Sequence, residues 1–274
     1  MGVIMTGRLF TFGCSFTKYH WPTWADLLLS QTEGENWGSP GGGNKFIFES
    51  LIECDVKNKL TEDDSVIIMW TSFFREDRYI KNHWANVGNV YNAEPLYDKK
   101  FLQTYWDDFG AAFNNLNFIC AAIRILNGVG CKWKMASMLP LLKFNEYNDN
   151  ISELDPRLAN HFEVINSSND NWINHDLQTF NRENLHGVKP IKWAGYANYE
   201  GIREIPNFID SHPTTLMHWM WAKTYLQEFI KSPFIIDRIA FDSENKLLTI
   251  SQTDKYITPS VSSNFSICKS VTRI

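Results

Sequence analysis

The five cysteines, Cys14, Cys54, Cys120, Cys131 and Cys268, include no Cys-x-x-Cys pair. An odd number of scattered thiols in a chain of 274 residues argues against a disulfide framework, so reduced thiols and synthesis inside the cell are expected. Basic residues are not in excess: 26 Lys and Arg stand against 31 Asp and Glu, a formal charge of -5. Nucleic acid held through its phosphates is therefore disfavoured, as is a membrane surface held through a polybasic run. No window approaches the length of a membrane span, and the opening MGVIMTGRLF lacks the charged region and apolar core of a signal peptide. The expected location is the cytoplasm, with association with a virion as the other placement. No His, Cys, Asp or Glu set has metal-ligand spacing, so no metal site is expected.

Apolar and aromatic side chains are abundant. The chain is 44% hydrophobic and 15% aromatic, with 11 Trp. That suffices for one large core. Aromatics clustered on one face form ligand-stacking surfaces, whereas most buried Trp are core.

Leu9-Phe10-Thr11-Phe12 reads as a buried strand that stops at Gly13, and WADLLL over 24–29 reads as a helix, with Pro22 near its start. Ser15 thus sits where a strand hands over to a helix. There it is either a raised nucleophile near helix-end amides or a residue that caps the helix. It does not stand in a G-x-S-x-G elbow, because Thr17 holds the last position.

A second feature is the stretch from Asn36 through Gly41, Gly42 and Gly43 to Asn44. It feeds a helix whose apolar face is read as Phe46, Ile47, Leu51 and Ile52. It is either a plain turn or an anion site. A phosphate loop is excluded, since Asn44 occupies the place of the essential Lys and Lys45 comes one residue late.

Ser65–Trp70 reads as a buried parallel strand that delivers Thr71, Ser72, Arg75, Glu76 and Asp77 to the crevice beyond the strand ends. Trp70 and Arg75 are the substrate-side candidates. Residues 80–100 read as irregular. One long helix is expected over 101–128, its core stripe running from Phe109 and Phe113 to Leu126, and a strand over 132–139. The Asn-rich segment of about 143–205, with weak periodicity, reads as an insertion acting as a lid or substrate-facing part.

Asp210-Ser211-His212-Pro213 precedes a helix beginning near Leu216. The pair either faces a crevice as a base with its orienting carboxylate, or is a turn residue with a surface histidine. Residues 1–232 are expected to form one α/β domain, and 233–274 a small β-hairpin extension.

Taken in order, Gly13-Cys14-Ser15-Phe16-Thr17, Asn36 with Gly41, and Asp210-Ser211-His212-Pro213 resemble the blocks of the SGNH, or GDSL-like, hydrolases. Cys14 replaces the usual Asp of the first block, and the last block has the short Asp-x-His-Pro form. The resemblance implies a three-layer α/β/α sandwich around a parallel sheet, a class the strand and helix pattern also favours. It implies a serine esterase with Ser15 as nucleophile, His212 as base and Asp210 as its orienter, with the amides of Ser15 and Gly41 holding the oxyanion, and with no metal or organic cofactor required.

The family's third block supplies an oxyanion Asn. Here Trp70-Thr71-Ser72-Phe73 has none, leaving Thr71, Ser72 or Asn44 as substitutes, or an impaired hole. The expected substrate is a small acyl ester, an O-acetyl group on a carbohydrate. The alternative is a non-catalytic glycan-binding or structural protein on the same fold.

Overall fold

The computed structural model describes residues 7–19, 22–92, 96–141, 156–184, 191–192, 209–210, 212–213 and 215–231. Four parallel strands form the central sheet: β1 (Leu9–Phe12), β2 (Gly34–Asn36), β3 (Ser65–Trp70) and β6 (Lys132–Ser137), in the order β2-β1-β3-β6. Phe10 pairs with Val66, and Ile68 with Met135. Every residue of β1 and β3 is buried, as a sheet covered on both faces requires.

Strand alternation assigns side chains to two cores. Phe10, Phe12, Val66, Ile68 and Trp70 face one core, filled by α2 (Asn44–Asn58) and α4 (Asp108–Val129). Leu9, Ile67, Met69 and Ala136 face the other, filled by α1 (Trp24–Leu29) and α7 (Thr215–Tyr225). The architecture is therefore the α/β, three-layer sandwich expected from the sequence. The chain leaves β1 to one side for β2 and returns to the other for β3. In such a sheet the ligand crevice opens beyond the strand ends at this reversal.

Several expectations are corrected. Residues 80–100 are not irregular throughout: β4 (Arg75–Ile80) and β5 (His83–Asn89) form an antiparallel hairpin. The single long helix is two, α3 (Lys99–Tyr105) and α4, because Trp106 is extended and the Asp107 carboxylate caps Gly110. Ile52 is 37% exposed, since the buried face of α2 runs through Phe46, Ile47, Ser50, Leu51 and Cys54.

By length and composition α4 could cross a membrane, contrary to the sequence reading. Its Leu116, Ile119, Ile123 and Leu126 are buried in the core beneath the sheet.

The segment read as an irregular insertion contributes α5 (Pro156–Asn166) and α6 (Leu177–Asn184). Leu158 and Ile165 enter one core, and Leu177 and Phe180 the other. Between these helices Trp172 bridges to Met135, and the Ile173 amide donates to the Met135 carbonyl at 2.8 Å. This backbone covers part of the β6 edge. A two-residue ladder joins β7 (Ile191–Lys192) to β8 (Ile209–Asp210). Cys268 and the proposed extension over 233–274 lie outside the described residues.

Candidate active site

Gly13 ends β1 because nothing larger fits there. A Cβ would lie 2.0 Å from Thr17 Oγ1 and 3.0 Å from the Met69 carbonyl. The chain then makes one helical turn, with the amides of Thr17 and Lys18 donating to the Cys14 carbonyl at 2.9 and 3.0 Å. Ser15 lies in this turn, 6% exposed. The first amides of such a turn have no partner within it, and among the described residues the Ser15 amide acquires none.

The far end of the turn is clamped. The Thr17 carbonyl accepts from Thr23 Oγ1 at 2.6 Å and from Asn36 Nδ2 at 2.8 Å. Asp26 completes the clamp by accepting from the Thr23 amide and hydroxyl and from Asn36. Burial raises the Asp26 pKa, opposed by those same donors. Asn36 thus positions the Ser15 turn. Thr23-x-x-Asp26 has the spacing of a capping box, a signal that could have identified the clamp.

His212 meets this turn from 197 residues away, its Nε2 lying 2.8 Å from Ser15 Oγ. In the tautomer protonated on Nδ1, Nε2 accepts the serine proton. Tyr19 stacks on the imidazole, with centroids 4.0 Å apart and planes 19° from parallel. Phe16 meets its edge at 5.4 Å. Neither aromatic was singled out from sequence, where nothing marks them. His218 is buried against Phe16, and its pKa falls to about 3 through burial first and His212 second, so it stays neutral. Asp210 ends β8 and pairs with Ile191; its side chain lies outside the described part of the structure.

The other candidates are placed differently. Trp70 shares its parity with Val66 and Ile68 and is wholly buried in the core, so it is not a substrate-side residue. Asn44 is also fully buried. Its Nδ2 donates to the Thr71 carbonyl at 2.9 Å, and its Oδ1 accepts from the Thr71 amide at 2.7 Å. The Thr71 hydroxyl points to Met138 Sδ at 2.8 Å, a sulfur that the Cys14 thiol also approaches at 3.2 Å. Ser72 Oγ accepts from the Phe74 amide. Arg75 donates to the Gly42 carbonyl at 2.9 Å and lies 3.8 Å from Met138 Sδ.

Gly41, with φ of 75°, is pressed against β5: a Cβ there would lie 2.4 Å from the Asn86 carbonyl. Its own carbonyl accepts from the Gly88 amide.

The supposed anion site at the start of α2 is already filled. Asp77 of β4 accepts from the Gly43 amide at 2.8 Å and from the Phe46 amide at 3.0 Å. Burial pushes its pKa up to about 6, overriding the two amides and Arg75. Because this lies above the unfolded value of 3.8, the folded chain binds the proton more tightly. Asp77 therefore favours folding less as pH rises from about 4 to about 6, and no further change follows above that window. In urea unfolding, the stability of the wild type relative to Asp77→Asn is expected to fall through this window and then level off. A rising difference would show that the amides prevail over burial.

Among the described residues, no group of three or more His, Cys, Asp or Glu is arranged to hold a metal. Fold and site together define a parallel α/β protein with a serine–histidine pair at the carboxyl edge of its sheet. No family model and no curated protein matches the sequence.

Among solved structures, the chain is similar to Axe2, an acetylxylan esterase from Geobacillus stearothermophilus. Identity is 16% and the TM-score 0.44, over 85% of this chain and 98% of that one. A catalytic mutant of Axe2 gives 15% identity and a TM-score of 0.44, over 84% and 96%. Another mutant, described as an acetyl-xylooligosaccharide esterase, gives 16% and 0.45, over 85% and 98%.

Proposed function

We propose that the protein is a serine ester hydrolase of the SGNH type, acting on an O-acetyl group carried by a carbohydrate. The observation that carries this reading is the 2.8 Å contact between His212 Nε2 and Ser15 Oγ. Ser15 Oγ attacks the ester carbonyl as Nε2 takes its proton, and the tetrahedral oxyanion forms against the Ser15 amide. Collapse expels the sugar alkoxide, which receives that proton from His212. Water, deprotonated by His212, then attacks the acetyl-enzyme, releasing acetate and restoring the Ser15 hydroxyl. Asp210 orients the imidazole and stabilises its charged form. Gly41 and Arg75 remain assigned to the oxyanion and substrate sides.

A non-catalytic glycan-binding protein is the second reading. It is favoured by one observation: Asn44, Thr71 and Ser72 direct their side chains to backbone or sulfur partners rather than forming an evident oxyanion site. A fluorophosphonate probe separates the two. It is expected to label the wild type and not Ser15→Ala. A folded wild type that is not labelled, and that does not turn over p-nitrophenyl acetate, favours the binding protein.

A further inference from the structure

The β4–β5 hairpin closes a cleft of about 340 Å³ against the Gly loop, lined by Lys18, Trp37, Tyr79, Asn82, Trp84 and Asn86 among others. The cleft begins at the Ser15 turn, since the Lys18 amide closes that turn on the Cys14 carbonyl at 3.0 Å. Its floor is tied to the same strand end, where the Ser39 amide donates to the Gly13 carbonyl at 3.1 Å.

The walls are pre-formed. Lys81 and Asn82 both have positive φ, 50° and 65°, which makes the hairpin turn a tight two-residue one of the type that matches strand twist. Asn86 Nδ2 donates to Ser39 Oγ and the Gly88 amide to the Gly41 carbonyl, each at 3.1 Å, pinning β5 to the Gly loop. Tyr79, 52% exposed, stands 5.5 Å from Trp84 at 73°, and Phe46 braces Trp84 from the core at 5.6 Å.

This lining combines aromatic faces with amides, a hydroxyl, the His83 imidazole and the Lys18 ammonium. Among the described residues it includes no carboxylate, in a chain that has 31 Asp and Glu. Aromatic faces suit the C–H face of a pyranose, and amides supply donor and acceptor together for its hydroxyls. A fatty acyl chain would lie against the Lys18 ammonium and the Asn82 amide, neither of which it can hydrogen-bond. A phosphate would find the Gly43 and Phe46 amides already taken by Asp77.

We propose that this cleft binds a sugar ring of an O-acetylated oligosaccharide, stacked on Tyr79 with Trp84 against its edge, and so presents the acetyl group to Ser15. Presentation rests on the esterase reading above; binding does not. The test therefore starts from Ser15→Ala, titrated with O-acetylated xylo-, manno- and galacturono-oligosaccharides and followed by tryptophan fluorescence. Saturable binding of at least one is expected, weakened about tenfold or more by Tyr79→Ala and kept within about threefold by Tyr79→Phe, which retains the ring.

In the wild-type background, Tyr79→Ala is expected to lower kcat/KM on the bound oligosaccharide far more than on p-nitrophenyl acetate. If none of the three sugars binds, or if Tyr79→Ala binds as tightly as its parent, the proposal is overturned. Binding that depends on Tyr79 without any ester hydrolysis by the wild type leaves the cleft assigned and removes the esterase reading.

Discussion

Alanine at Ser15 or at His212 is expected to lower kcat for p-nitrophenyl acetate by roughly 10⁴ to 10⁶, the double variant losing little more than either alone. The two side chains act as one unit in the proposed reaction. A serine hydroxyl without a base is a weak nucleophile near neutral pH, and a base without the hydroxyl has no attacking oxygen to deprotonate. The 2.8 Å contact is the geometry such a unit needs. Asp210→Ala is expected to cost less, on the order of 10⁴, because orientation and charge stabilisation are lost while the transfer itself survives. Kinetics of the four proteins, with circular dichroism to confirm folding, decide the matter. Losses that multiply in the double variant would mean that the two residues act separately, and a fully active Ser15→Ala would remove the acyl-serine mechanism.

The parts of this site that were legible in the sequence are those fixed by local pattern. β1 and β3 are continuous apolar runs, and α4 carries its stripe at helical spacing, so both cores could be anticipated from period alone. Residue type and position at element boundaries single out Ser15 and His212 but leave a capping or surface role open for each; the resemblance of the blocks pairs them, and the two side chains lie 2.8 Å apart. What no local pattern contains is the register that joins positions far apart in the chain.

Asp77 caps α2 across 34 residues to Gly43, and nothing near either position announces it. The β4–β5 hairpin was missed because REDRYI and HWANVGN are polar and partly exposed, with no buried alternation to read. Its order comes from packing on the Gly loop. Trp70 is a different case. Its parity with Val66 and Ile68 was available in the sequence and places it in the core, but its location at a strand end drew the reading toward the crevice. The helix break at Trp106 was likewise marked by a capping Asp, but the apolar stripe beyond it was read as continuing through.

Asn44→Ala is expected to destabilise the fold by about 2–4 kcal/mol, leaving both the Thr71 amide and the Thr71 carbonyl without their buried partner. At about 2–4 °C per kcal/mol for a chain near this size, the thermal midpoint should fall by roughly 5–15 °C. The reason lies in where α2 begins. Gly43 is the capping residue, so Asn44 is the first helical position and its side chain reaches sideways to the end of β3. One amide group there closes a two-bond clamp between the helix start and the strand end, both of which border the crevice.

Asn44→Asp keeps the acceptor for the Thr71 amide but sets an anion against the Thr71 carbonyl, so it should recover only part of the loss. The same pair of variants tests the oxyanion role that the sequence suggested for Asn44. A clamp predicts a lowered midpoint, with the kcat of the protein that remains folded reduced only modestly. An oxyanion donor predicts the reverse, a midpoint near that of the wild type and a kcat lower by about 10² to 10³. With Nδ2 committed to Thr71 and the residue fully buried, the clamp is the outcome the geometry favours. In the proposed reaction that outcome would leave the oxyanion to backbone amides, that of Ser15 first.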